Sequence, residues 1–365
     1  MRSITSFSPA DIGVSVVVPV LNGAASLRRV LVALLAEGRG RPFEIIVIDD
    51  GSADGSIAIA DDLRDGAIRI LAGSRRGAAA AINLGLHAAR FPVVAQVDQD
   101  VVVEAGWLIR LLEALAIDGV AAAQGWYATD PSASVIARVM ALDLEQRYER
   151  IREGGTDHVC TGNVVWRRDA IDRIGGLDET LGYGYDNDLS YRLVAAGYRL
   201  VICPRARSLH QWRDGWIDYL RQQYGFGYGR LDLVARHRTR VLGDRVSPAI
   251  MMAHPVAMAA ALLLLVLAAA APVAGRSPAM PAIGAGLLIA ALAAERLMAG
   301  VSAARRHRDW AALCFPVAHL LRDVVWVLAI GWWSVRRVTR RSGVPHDSMR
   351  PRPTRQGVPS AGDPA

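Results

Sequence analysis

Hydrophobic and polar positions change period repeatedly along the chain. Val14–Val20 (VSVVVPV) is a nearly unbroken apolar, β-branched run that stops at Asn22-Gly23. Such a run predicts a strand buried on both faces, as in a parallel sheet. Over residues 24–36 the pattern switches to helical spacing, with Leu27, Leu31, Leu34 and Leu35 on one face. The alternation then repeats. Strands are predicted over 44–48, 68–71 and 93–97, and helices over 56–63, 78–89 and 104–116. This β-α-β-α order predicts a mostly parallel, Rossmann-like α/β sheet flanked by helices. Ligands of such sheets bind beyond the carboxyl ends of the strands. Asp49-Asp50 and Asp98-Gln99-Asp100 both stand at those ends.

Residues 120–200 alternate less cleanly. Strands fit 120–125, 159–166 and 199–202, and helices fit 168–174 and 188–196, separated by glycine-rich turns. Residues 204–245 are rich in arginine and aromatic residues. Three apolar stretches follow, Ala249–Val273, Met280–Gly300 and Ala311–Trp333. The first two approach the ~20 residues that cross a bilayer. The third carries His319, Arg322 and Asp323 in its middle. Arginine concentrates on cytoplasmic flanks, so Arg305, Arg306 and Arg308 fit a hairpin that goes out and returns. Three full spans would put Arg336, Arg337, Arg340 and Arg341 outside, against that rule, so a re-entrant or interfacial third stretch stays open beside a third span. Residues 342–365 read as a disordered tail.

Composition sharpens this picture. The 365 residues are 52% hydrophobic, with a surplus that lies almost wholly after residue 247. All 42 basic residues are arginine. Net charge is −7 over residues 1–198, +6 over 199–245 and +8 over 246–365. Disorder, collagen-like repeats and a disulfide scaffold are excluded. The positive charge accompanies the apolar stretches, which favours anionic lipid over nucleic acid as partner. Cys160, Cys203 and Cys314 are too far apart for a zinc spacing and fit a reducing compartment. The opening MRSITSFSPADIG has no apolar core of a targeting peptide, so the first ~245 residues are expected in the cytoplasm.

Candidate chemistry gathers at the strand ends. Asp50 can accept hydrogen bonds from a nucleobase or ribose, or simply cap a turn. Asp98 and Asp100 can present oxygens to Mg²⁺ or Mn²⁺ bridging a diphosphate, although a lone D-x-D recurs by chance. Asp188 fits the N-cap of a helix. Asp186 is expected just before that helix, free to act as a base on a hydroxyl. His210 can ligate a metal or bind phosphate, or pack. Trp166, Trp212 and Trp216 can stack on sugar rings or serve structurally.

Taken together, VSVVVPVLN, EIIVIDDGSADGS, VAQVDQD, GGLDE and YGYDNDLSYRLVAAGY resemble, in order and spacing, the inverting family 2 glycosyltransferases of the GT-A fold over about residues 13–210. The resemblance implies a nucleoside-diphosphate sugar donor. It places Asp50 on the nucleotide base, Asp98 on the ribose and Asp100 on a metal–diphosphate, with Pro19 and Asn22 against the nucleotide. Asp186 takes the position of the catalytic base. Tyr185 stands where the family commonly has Glu, and Ile82 where it often has Arg; Arg75 or Arg76 is expected to supply that charge near the diphosphate. The Q-x-x-R-W element of processive synthases is absent. These likenesses imply a catalytic domain over 1–210, a basic membrane-proximal segment over 211–247, membrane stretches over 248–335 and a tail over 336–365. They imply a multi-pass plasma-membrane enzyme with its catalytic domain in the cytoplasm, acting on a lipid-linked or saccharide acceptor. A polyprenyl-phosphate sugar synthase and a catalytically silent sugar-nucleotide-binding scaffold are the rivals.

Overall fold

A computed structural model describes residues 7–64, 66–151 and 155–339; of the expected tail, 340–365 lie outside them, whereas 336–338 are helical, continuing the last helix. The chain opens with β1 (Val14–Val20), α1 (Leu27–Glu37), β2 (Phe43–Asp49), α2 (Ser56–Asp62), β3 (Ile68–Ala72), α3 (Ala78–Ala88) and β4 (Val93–Val97). It continues through β5 (Val101–Val103), α4 (Trp107–Leu115), β6 (Val120–Ala128), α5 (Val135–Glu149), β7 (Gly155–Thr156) and β8 (Asn163–Arg167). Then come α6 (Arg168–Ile174), α7 (Tyr185–Ala195), β9 (Arg199–His210) and α8 (Trp216–Arg236). Three long helices end the described chain: α9 (Ala249–Ala270), α10 (Ala279–His307) and α11 (Phe315–Val338).

The sheet runs β3-β2-β1-β4-β8-β6-β9-β5, with β7 beside β9. The first four strands in that order are mutually parallel. β8 enters antiparallel between β4 and β6. Side-chain alternation divides the strands between two apolar layers. Val14, Val16, Val18, Ile45 and Val47 pack with α1 and α4, whereas Val17, Ile46 and Ile48 pack with α3 and α7. Burial on both faces is why these strands read as continuous apolar runs rather than alternating ones.

Several boundaries differ from the sequence expectation. α7 begins at Tyr185, so Asp186 lies in its first turn rather than in the loop before it. β9 extends to His210, eight residues past the expected end at 202. The expected strand over 159–166 is confined to Asn163–Arg167. α5 has no counterpart in the sequence reading. It buries Asp143 and Glu145 on its packed face, which erases the apolar period. Glu145 is satisfied there by Trp126 Nε1 at 3.1 Å and the Thr129 backbone N–H at 2.7 Å. Trp166 lies in the core, 2% exposed, and is closed to a sugar.

α9, α10 and the segment Trp310–Val338 are long and apolar enough to cross a membrane. His319, Arg322 and Asp323 fall on the one buried stripe of α11, with Phe315, Ala318, Trp326 and Ala329. There they meet other polar groups. His319 faces Asp143 at 3.5 Å and Arg296 at 3.3 Å, and Asp323 faces His254 at 3.5 Å. A third apolar cluster joins Ile136, Val139 and Leu142 of α5 to Tyr219, Ala311 and Phe315, fastening the α/β body to the C-terminal helices.

α8 links the two regions through closely packed glycines. A Cβ on Gly229 would stand 2.6 Å from Tyr183 Cβ, and one on Gly227 3.1 Å from the Trp326 ring. Gly286 meets nothing. Gly229→Val is therefore expected to lower the melting temperature in detergent by several degrees, through overpacking of about 1–3 kcal/mol. Gly286→Val is expected to leave it unchanged.

Candidate active site

The chain leaves the middle of the sheet at β4 and re-enters at its far edge as β5. β5 pairs antiparallel with β9, placing Val101 opposite His210. This crossing carries Asp98 and Asp100 over the carboxyl ends of the strands and sets His210 Nε2 3.4 Å from Asp100 Oδ1. Asp98, Asp100 and His210 line an 820 Å³ cavity with Asp50, Tyr127 and Asp186.

Asp50 and its neighbour have separate tasks. Asp49 Oδ1 accepts the Ser52 N–H at 2.8 Å and so closes the turn. Asp50 is 7% exposed, and its Oδ2 accepts the Gly77 N–H at 2.9 Å where α3 begins. Its Oδ1 has no hydrogen-bond partner among the described residues. A buried carboxylate oxygen left open towards a cavity is suited to receive a ligand N–H or O–H.

Burial, and then the neighbouring Asp100 and Asp186, push the Asp98 carboxyl up to about 7. The Asp98 Oδ1 receives Gln96 Nε2 at 2.9 Å. Asp100 stays below the usual carboxylate range: burial alone would raise it, but His210 and Arg213 outweigh that. His210 Nδ1 and Trp212 Nε1 are buried without hydrogen-bond partners among the described residues, and the two rings lie 4.1 Å apart. Among the described residues no group of three or more His, Cys, Asp or Glu side chains is placed to hold a metal ion. The crowded carboxylates Asp98 and Asp100 fit a divalent cation only if most of its ligands come from a bound diphosphate.

Asp186 sits at the amino end of α7, where Asn187 N–H meets its Oδ1 at 2.9 Å. Burial raises its carboxyl even though His158 opposes the shift. His158 is itself held by Asp244, 3.3 Å from Nδ1. Asp244 also accepts the Tyr191 hydroxyl at 2.5 Å and the Ser247 N–H at 2.7 Å. Cys160 lines the same cavity, but burial and then Asp186 push its thiol up to about 12, so it is no nucleophile at neutral pH.

The other expected residues are placed differently. Asn22 ties the first strand's exit to the next turn: its N–H donates to Ser52 Oγ at 3.0 Å and its Oδ1 accepts the Ala53 N–H at 2.9 Å. Pro19 lies within β1 beside Ile48. Arg76 pairs with Glu179 at 2.6 Å on the surface. None of these three is on the cavity wall, whereas Leu21, Gly77 and Ala78 are. Arg147 and Arg230 line the cavity without having been singled out in the sequence, and Arg322, noted there only as a charge within the third apolar stretch, lines it too. They come from three helices, and no spacing links them.

A three-layer α/β body with carboxylates crowded at the strand ends and a D-x-D between the sheet's centre and its edge is the GT-A arrangement of nucleotide-sugar enzymes. Residues 15–175 match the family described as "Glycosyl transferase family 2". An uncharacterized glycosyltransferase of Mycobacterium bovis is 33% identical over 192 residues, 52% of this chain and 82% of that relative. The pre-mycofactocin glycosyltransferase of Mycobacterium tuberculosis is 34% identical over 255 residues, 67% of this chain. The chain spans about half of that relative's length, 52%. A mannosyltransferase from Pyrobaculum calidifontis, solved with GDP-Man and Mn²⁺, shares the fold with a TM-score of 0.56 at 20% identity, over 90% of each chain. The chain belongs to the family 2 glycosyltransferases.

Asp244 supplies a pH test of this wall. Burial alone would raise its carboxyl, but His158 and then Tyr191 hold it well below the usual range. Its stabilising effect is thus present above the ordinary carboxylate pKa of about 4 and lost as pH falls below it. Asp244→Asn is expected to cost about 3 kcal/mol at pH 7. The gap to wild type should narrow in melting curves taken from pH 7 towards pH 3.

Proposed function

We propose that the protein is a membrane-bound inverting glycosyltransferase that moves a sugar from a nucleoside-diphosphate donor to an acceptor hydroxyl. The observation that carries this reading is the meeting of Asp50, Asp98, Asp100, His210 and Asp186 on one cavity. The open Asp50 oxygen receives the nucleobase or ribose, with Asp98 beside it. Asp100, with Asp98 or His210 beside it, would hold Mg²⁺ or Mn²⁺ together with the diphosphate oxygens, and the ion would neutralise charge on the leaving diphosphate. The solved mannosyltransferase with GDP-Man and Mn²⁺ supports the same assignment. Asn22 acts from outside the lining by fixing the turn after β2.

Asp186 takes the acceptor proton. The acceptor oxygen bonds to the anomeric carbon as the carbon–oxygen bond to the diphosphate breaks, and the nucleoside diphosphate leaves with that electron pair. Attack from the opposite face inverts the centre. Burial that raises the Asp186 carboxyl makes it a stronger base than an exposed aspartate.

The membrane arrangement that fits is a two-span hairpin with α11 lying along the membrane face. α8 is pinned to the α/β body at both ends: Ser134 Oγ donates to the Asp214 carbonyl at 3.2 Å, and His237 meets Asp188 at 2.8 Å. α11 follows α8 over its length, from Tyr219 O–H on Ala318 O at 3.2 Å to Trp333 Nε1 on Asp232 at 2.8 Å. Packing along its length on the charged α8 supports keeping α11 with the body rather than across hydrocarbon. Arg305, Arg306, Arg336 and Arg337 then share the cytoplasmic side, in line with the positive-inside rule.

Three outcomes test this reading. Asp186→Asn should lower transfer at least a thousandfold with nucleotide affinity unchanged in detergent; a wild-type rate would refute the base assignment. A panel of nucleoside diphosphates should show Mn²⁺-dependent binding of one member, lost in Asp100→Ala. Cysteines at Val338 and Gly275, in inside-out and right-side-out vesicles, should label from opposite sides; labelling from one side would mean that α11 crosses.

A further inference from the structure

Charge is unevenly distributed along this cavity. Its acids Asp50, Asp98, Asp100 and Asp186 belong to the strand ends and α7, with Arg213 near Asp100. A second part of its lining, from α5, α8, α9 and α11, carries Arg147, Arg230 and Arg322. Asp143 and Asp232 also lie on that wall, but Asp143 is engaged by Arg147 at 3.0 Å and Asp232 by Trp333 Nε1. Arg322 pairs with Asp323 at 2.9 Å. Arg230 is 12% exposed and approaches Asp244 no closer than 4.0 Å, while its η2 nitrogen donates to the Arg240 carbonyl at 2.6 Å.

The same wall holds polar groups left open. Arg230 Nε, Gln222 Oε1 and Trp326 Nε1 are buried with no hydrogen-bond partner among the described residues. Trp326 is 6% exposed. Two of these three atoms are N–H donors, and guanidinium donors match phosphate oxygens in geometry and charge. Met251 and Met252, at the root of the α9–α10 hairpin, supply adaptable apolar surface next to them.

From this juxtaposition we infer that the basic wall is an acceptor subsite: Arg147 and Arg230, with Trp326 Nε1, hold the phosphate or diphosphate of a membrane-borne acceptor while its hydroxyl is presented to Asp186. The inference rests on the transferase reading and names the acceptor's chemical class. It makes the phosphate a handle and not the attacking group, because Arg147 and Arg230 come from α5 and α8 and not from the strand ends that carry the carboxylates. Removing the handle therefore raises the acceptor KM and leaves the donor KM alone.

Binding of farnesyl diphosphate to the full chain in detergent tests it, with EDTA present to keep the diphosphate off a metal. Inorganic diphosphate and farnesol serve as the two partial probes. Farnesyl diphosphate should bind, and Arg230→Gln and Arg147→Gln should each weaken it at least tenfold. Arg147 also neutralises Asp143, so the double variant Asp143→Asn/Arg147→Gln replaces the single one if that fails to fold. Unchanged affinity in the folded variants would overturn the subsite, as would farnesol binding as tightly as its diphosphate. Inorganic diphosphate binding as tightly as farnesyl diphosphate would overturn the membrane-borne source in favour of a free phosphate. Mn²⁺-dependent nucleotide binding, measured on the same preparation, reports separately on the transferase reading: its loss with farnesyl diphosphate still bound counts against that reading and not against the subsite.

Discussion

Repulsion among carboxylates in a poorly solvated recess organises this molecule. Asp98 rises to about 7 because burial, Asp100 and Asp186 all oppose its charge. Such a cluster is costly unless a cation or a proton relieves it. The fold supplies partial relief through His210, which β9 delivers to Asp100, and leaves the remainder for a ligand. The route of the chain from β4 to the opposite edge of the sheet at β5 serves that end: it suspends the D-x-D over the strand ends with β9 alongside.

The second dependence is mechanical. Among the described residues α8 is the long helix between the sheet and the C-terminal helices in chain order, and its glycines let it touch both. One glycine admits the Tyr183 loop that precedes Asp186, and another admits Trp326 of α11. The position of Asp186 is thereby tied to the position of α11. The buried polar stripe of α11 has the same logic. His319, Arg322 and Asp323 look like defects in a span until α5, α9 and α10 are seen to answer them.

Legibility in the sequence followed periodicity. Every strand of the parallel half and the helices beside it were visible, because each buries one uniform kind of side chain. α5 was invisible because Asp143 and Glu145 stand where its apolar stripe would be. Asp186 was found, but its helix starts earlier than the first periodic apolar residue. Tyr185, in place of the acidic residue common in the family, packs against the core layer beside Thr161 rather than leaving a gap.

By itself the sequence determined the α/β alternation, the acidic strand ends and the apolar C-terminal region, since each depends on neighbours in the chain. Tertiary structure alone decided that His210 meets Asp100, that Asp50 keeps one oxygen open, and that three arginines from three helices share a wall. Those are contacts between residues far apart in the chain. They depend on sheet register and helix packing, which no local pattern encodes.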